Sequence, residues 1–147
     1  MIGAWITTKE GKGMITFDVN YVAVVAAAIA TMIIGFIWYH PKVLGERWAA
    51  SSGKTMGDMT MSPMGYGVMA ITALISAWAV ALIVTATHAT TVTDGIMVGA
   101  VGWLGFSATV SYSDRMFNGG TMEFWLIQAG YRLVSFVVMG VILATVV

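Results

Sequence analysis

Four long stretches with no more than one charged side chain each constrain this chain more than any other feature. The first, Val19 to Pro41, lies between Asp18 and Lys42, and its core VAVVAAAIATMIIGFIWY ends at Tyr39. The second lies between Asp58 and Asp94, with its helix placed at Gly65 to Thr87, and the third lies between Asp94 and Asp114. The fourth runs from Phe124 to the C-terminus and holds a single charge, Arg132. A bilayer crossing needs about 20 apolar residues, so four crossings leave only two ends and three short loops. Hydrophobic residues make up 59% of the 147 residues and charged residues 10%, against about 25% charged in a soluble domain. A chain this small cannot bury that much apolar surface in one aqueous core. The expected fold is all-α, an integral membrane bundle of four helices at about 19–39, 65–87, 95–113 and 124–146, with residues 18–147 as one domain. A β-barrel would need short segments of alternating polarity, and these runs are apolar on every face.

The ends of the runs carry chemical signals. Pro41 has no amide hydrogen and turns His40 away from helix, which stops the first helix near Tyr39. Ser62-Pro63 supplies a cap and a first-turn proline to the second helix, and Thr93 or Asp94 caps the third. Asn118-Gly119-Gly120 marks a turn, and Glu123 then sits at the positive end of the fourth helix dipole. Trp38, Tyr39 and Trp48 are amphipathic rings expected to anchor at the headgroup level, and Gly45 to Trp48 is expected to form a short interfacial helix. Residues 1–17 lack the apolar core of a cleaved signal. They read as a short tail with Trp5 as an interfacial anchor, and Met14 is an alternative start that flows straight into the first helix.

Several chemistries are excluded. Cysteine is absent, which removes disulfides, thiolate catalysis and cysteine zinc sites. The two histidines, His40 and His88, fall on opposite sides of the membrane by residue count, so no metal site and no cofactor is expected. Seven basic residues balance seven acidic ones, and no field favours nucleic acid. Ser52-Gly53-Lys54-Thr55 lacks the earlier glycine and the preceding strand of a phosphate loop. No nucleophile and base can be assembled at one depth, so an enzyme is not expected.

The stretch Gly35-Phe36-Ile37-Trp38-Tyr39-His40-Pro41, followed by Gly45 and Trp48, resembles the signature after the first helix in the family catalogued as domain of unknown function 1761. Gln128-Ala129-Gly130-Tyr131-Arg132-Leu133-Val134-Ser135 and the opening Val19-Asn20-Tyr21 resemble it as well, so the likeness covers roughly 17–147. It implies a small four-helix membrane protein and transfers no catalytic residue. Arg132 departs from the uncharged or aromatic residue expected there.

Arg132 is the most informative side chain. At 1.5 Å per residue it lies about 12 Å below Phe124, near the bilayer centre, where arginine costs at least about 2.5–3.5 kcal/mol. No acid lies within a span. Ser107, Ser111 and Asp114 on the third helix, and Gln128, Arg132 and Ser135 on the fourth, each recur at helical spacing and are expected to meet as a polar clamp or a ligand site. Trp78 and Trp103 are candidates for a cation–π contact with Arg132. Gly95, Gly99, Gly102 and Gly105 form a small-residue stripe suited to close helix packing, within the chain or between copies. Four Lys/Arg near the first and third loops against two near the N-terminus predict cytoplasmic loops one and three and external termini in a cell (inner) membrane. Gly35-Phe36 and Gly105-Phe106 form a faint echo. Two functions follow. One is a non-enzymatic membrane protein acting by packing, as a homo-oligomer or as an accessory subunit beside other membrane subunits in the lipid bilayer. The other is a small oligomeric transporter or channel with an anion-facing site around Arg132.

Overall fold

The computed structural model describes residues 17–146; the expectations for Trp5 and Met14 lie outside them. The described chain is helical, without strands. Helix α1 spans Tyr21–Trp38, the short α2 spans Glu46–Ser51, α3 spans Pro63–Ala86, α4 spans Val92–Asn118 and α5 spans Met122–Thr145. All but α2 are long and apolar enough to cross a membrane. They run antiparallel in sequence, so residues 17–20, 87–91 and 146 share one end of the bundle, the terminal end. The connection 39–62 and the turn 119–121 share the other, the loop end.

Local chemistry starts each helix where it starts. The side chains of Asn20, Ser62, Thr91 and Thr121 accept hydrogen bonds from the backbone N–H of Ala23, Gly65, Asp94 and Phe124, each satisfying an amide that the first turn leaves without a helical partner. The cap of α4 is thus Thr91, two residues ahead of the expected Thr93. Asp94 completes a reciprocal box by accepting from the Thr90 and Thr91 amides. Gly119 and Gly120 take φ of 78° and 127°, backbone that an L side chain rarely tolerates, and so allow the tight reversal into α5.

Packing differs between the two ends. Toward the terminal end the core is built from small residues, with Ala23, Ala27 and Ala28 of α1 meeting Ala77 and Ala81 of α3 and Leu143 and Ala144 of α5. The largest side chain almost wholly buried is Thr31, at 1% exposure. Large apolar side chains such as Ile29, Ile33, Ile71, Ile75, Val101, Leu104 and Phe106 point outward instead. This inside-out arrangement of small inside and large apolar outside is how helices pack where the surroundings are as apolar as the core.

The tightest seam joins α4 to α5. A Cβ built on Gly95 would fall 2.6 Å from the Gly140 carbonyl oxygen, and one on Gly99 would fall 2.6 Å from Val137 Cα. Backbone meets backbone, so no rotamer change can relieve a larger residue. Gly102 faces the Phe136 ring at 3.4 Å. Gly105 departs from the expected stripe, because nothing lies within 4 Å of its Cβ position. The cause is a π turn at Trp103–Ala108, closed by Thr109 N–H donating to the Leu104 carbonyl. The wide turn shifts the helical register and carries Gly105 and Phe106 to the outside while Ser107 and Ala108 turn inward. The echo between Gly35 and Gly105 has no structural counterpart, since Gly35 is buried against Tyr131.

Gly99→Leu is expected to lower the melting temperature in detergent, with overpacking costing about 1–3 kcal/mol or more. Gly105→Leu on the same helix is expected to leave it unchanged.

Candidate functional site

The loop end is organised around a corner where the chain leaves α1. Gly35 leaves room for the Tyr131 ring, whose hydroxyl would lie 3.2 Å from a Cβ there and donates to the Thr31 carbonyl at 3.2 Å. Trp38 Nε1 donates to the Ile127 carbonyl at 3.0 Å, and its ring fits over Gly130, 3.1 Å from that residue's Cβ position. Tyr39 packs between Trp48, at 4.7 Å between ring centres, and Tyr131, at 5.3 Å, and Trp48 stacks on Phe124. Pro41 opens a π turn, Pro41–Gly45, which runs directly into α2. Gly45 is obligatory, since a Cβ would lie 3.0 Å from the His40 carbonyl carbon. Trp38, Tyr39 and Trp48, expected as interfacial anchors, lie at the expected end but turn toward α5. The corner is fastened outside by Thr121 Oγ1 donating to the Ser51 carbonyl at 2.9 Å and by an Arg47–Glu123 ion pair at 2.7 Å. That pair is exposed and contributes little.

Three adjoining cavities open in this half. The inner one, about 510 Å³, lies between all four long helices and is lined by Ser76, Ser107, Arg132 and Ser135 among others. The outer one, about 240 Å³, lies between α4 and α5 toward the loop end and contains Ser111, Asp114, Arg115, Gln128 and Arg132. Arg132 stands in the wall of both. The third, about 540 Å³, lies under the α1 corner and shares Met69 and Tyr131 with the inner cavity.

The six residues expected to form a clamp therefore divide. Ser107 and Ser135 face the inner cavity, Ser111, Asp114 and Gln128 the outer one, and Arg132 both. The clamp itself is not closed: among the described residues Arg132 makes no hydrogen bond or ion pair. Ser111 is engaged elsewhere, donating to the Ala108 carbonyl and accepting from Trp125 Nε1 at 3.1 Å. The division follows depth along the two helices, with Ser107 and Ser135 deeper and Ser111, Asp114 and Gln128 nearer the loop end. Ser135 is 5% exposed, and its hydroxyl has no partner. Neither tryptophan meets Arg132. Trp78 stacks on Phe17 and Trp103 Nε1 donates to the Ala129 carbonyl at 2.9 Å, while the cation–π contact found is Arg115 over Tyr112.

Thr31, Thr72 and Ser76 complete the polar lining of the inner cavity and were not singled out from sequence. Hydroxyls inside apolar runs were the available signal, but such groups commonly bond their own helix, as Thr31 and Thr72 do here with Ala28 and Met69. His40 lies at the loop end, where its Nδ1 accepts from Lys42 N–H. His88 lines a small cavity at the terminal end.

The family described as protein of unknown function DUF1761 matches residues 22–144. The chain belongs to this family. No curated protein and no solved structure matches it. In this DUF1761 protein the two stretches that carry the resemblance, Gly35 to Trp48 and Gln128 to Ser135, fold against each other. Gly35 and Trp38 of the first receive Tyr131 and Gly130 of the second. The motif therefore has a structural reading as the joint that sets the distance between α1 and α5 above the cavities.

Gly45→Ala should disrupt this joint, lowering the melting temperature by an amount corresponding to about 1–3 kcal/mol and changing tryptophan fluorescence. Gly57→Ala, whose Cβ meets no atom closer than 3.6 Å, should change neither.

Proposed function

We propose that this protein is a multi-pass membrane protein that binds a small anion, or an anionic headgroup, between α4 and α5, with Arg132 as the charge that holds it. The observation that carries this reading is an unpaired guanidinium shared by two cavities, one of which also receives the buried, unpartnered Ser135 hydroxyl. Arg132 is ten residues into α5, about 15 Å along the helix. In a bilayer such a charge requires polar groups or a counter-charge around it. The acid nearest in the cavity lining, Asp114, makes no ion pair with it, and an anion accepting from the guanidinium and the surrounding hydroxyls meets that need.

The outer cavity, which Arg132 shares with Arg115, lies toward the loop end, and the proposed ligand enters from that side. The inner cavity offers hydroxyls and a guanidinium but no carboxylate or imidazole in its lining, a set suited to binding and poor in proton acceptors for catalysis. A single four-helix unit encloses no complete path, and transport would use two or more copies. The packing role has less support, because Gly95 and Gly99, its strongest sequence argument, are occupied by α5 of the same chain.

The test is a thermal-shift titration of the purified protein in detergent with phosphate, sulfate and a short-chain anionic lipid. An anion at about 100 times its Kd adds roughly 2.7 kcal/mol, and Arg132→Gln should fold and lose that gain. Equal shifts in wild type and Arg132→Gln, or none in either, would remove the proposal. A larger response to the lipid than to the free anions identifies a headgroup site.

Orientation is proposed from the Lys/Arg balance: loop end in the cytoplasm, both termini outside. A cysteine introduced at Ser52 should stay unlabelled by an impermeant maleimide on intact cells and react after permeabilisation. Labelling on intact cells would invert the topology.

A further inference from the structure

The third cavity has an unusual wall. Every aliphatic side chain lining it is a methionine, Met56, Met59, Met61 and Met69, with no leucine, isoleucine or valine. The adjoining inner cavity also holds methionines, Met32, Met69 and Met139, among its hydroxyls and Arg132, whereas Val24, Val25, Leu74 and Ile75 face a hollow on the outer surface of α1 and α3.

Backbone geometry places these thioethers together. Met56 and Met59 are the ends of a 3-10 turn, Met56–Met59, in which side chains three apart eclipse on one face. Met61 follows one residue beyond the extended Thr60, and its sulfur lies 3.2 Å from where a Cβ on Gly65 would be, so that glycine gives the thioether its room. Met69 reaches the same cavity from α3. The one charged residue in the lining is Asp58; no lysine or arginine faces the space. The Oδ2 of Asp58 already accepts from the amide and hydroxyl of Thr55 at 2.9 and 2.7 Å, which leaves the carboxylate as a nearby negative charge and not a free ligand.

We propose that this cavity binds one soft monovalent metal ion, Cu(I), through the thioether sulfurs of Met56, Met59 and Met61, with Met69 as a fourth donor. Thioether sulfur is a soft, neutral ligand that selects Cu(I) over the harder divalent ions, and the three rotatable bonds of methionine let the sulfurs close on an ion of that size. The expectation of no metal site weighed cysteine and histidine, and among the described residues no group of three His, Cys, Asp or Glu exists. Sulfur of methionine lies outside that count. Thioethers have no proton to lose, so the affinity stays flat across the range where histidine or thiolate sites weaken with acid.

The experiment uses the full chain in detergent with methyl-labelled methionine and Ag(I), a redox-stable soft ion, as the probe, followed by Cu(I) transfer from a bicinchoninate complex. The expected result is one ion per chain, with methyl shifts confined to Met56, Met59, Met61 and Met69 and no change at Met97, Met116 or Met122. Replacing Met56, Met59 and Met61 together by Leu should abolish transfer while helicity and melting temperature persist, since Leu and Met are close in volume. Should the triple variant fail to fold, Met59→Leu alone should still weaken transfer by about tenfold, or 1.4 kcal/mol. Shifts spread over all methionines, transfer retained by the folded triple variant, unchanged transfer by Met59→Leu, or equal loss in a Met97/Met116/Met122→Leu control would overturn the site. Arg132→Gln should leave Ag(I) binding intact, which separates this site from the anion site.

Discussion

The contact of backbone with backbone between α4 and α5 is the constraint on which the rest of the structure depends. Gly95 and Gly99 bring α4 against Gly140, Val137 and Phe136 so closely that a Cβ has no space. In surroundings as apolar as the core, burying hydrocarbon gives helices little reason to associate, and close van der Waals contact takes over that role. The seam fixes α4 and α5 at the terminal end. The π turn at Trp103–Ala108 then ends the small-residue stripe, and beyond it the inner and outer cavities open beside Ser107 and Ser111.

The two ends of the bundle consequently have different natures. Toward the terminal end, alanines and glycines pack closely, and the cavity there, about 220 Å³, lies beside Asn20 and His88. Toward the loop end, aromatic rings act as spacers: Trp38, Tyr39, Trp48 and Tyr131 hold α1 and the α2 connection away from α5 by the thickness of a ring. Spacing of this kind leaves room beneath it, and the inner cavity and the cavity under the corner occupy that room. Tyr131 and Arg132 are neighbours on α5, and between them they border all three. Within the stretch that carries the family resemblance, Tyr131 and Arg132 are thus adjacent residues in separate positions, one spacing the helices and the other facing the inner and outer cavities.

The chemistry proposed for the loop end follows from what each hollow lacks. The inner cavity has hydroxyls and one guanidinium without a carboxylate in its lining, so it suits an anion. The cavity under the corner has four thioethers without a basic residue in its lining, so it suits a soft cation. Tyr131 and Met69 stand in the wall common to both, which keeps the two kinds of ligand apart.

Much of the architecture was legible without coordinates. Four runs of membrane length with no more than one charge each, bounded by Pro41, Ser62-Pro63 and Asn118-Gly119-Gly120, determine the number and order of the helices, because hydrophobicity and backbone capping act locally. The depth of Arg132 and the closeness demanded by Gly95 and Gly99 were equally local consequences of rise per residue and missing side chains. What α5 does with those glycines was not, since a small-residue stripe serves an intrachain neighbour and a second copy alike. Nor was the π turn at Trp103–Ala108, which no spacing rule announces and which removes Gly105 from the seam. Stripe arguments assume a uniform 3.6-residue period, and one wide turn is enough to break them. The inward turn of Trp38, Tyr39 and Trp48, and the meeting of four methionines in one cavity, depend on contacts between residues far apart in the chain, and only the tertiary structure decides those.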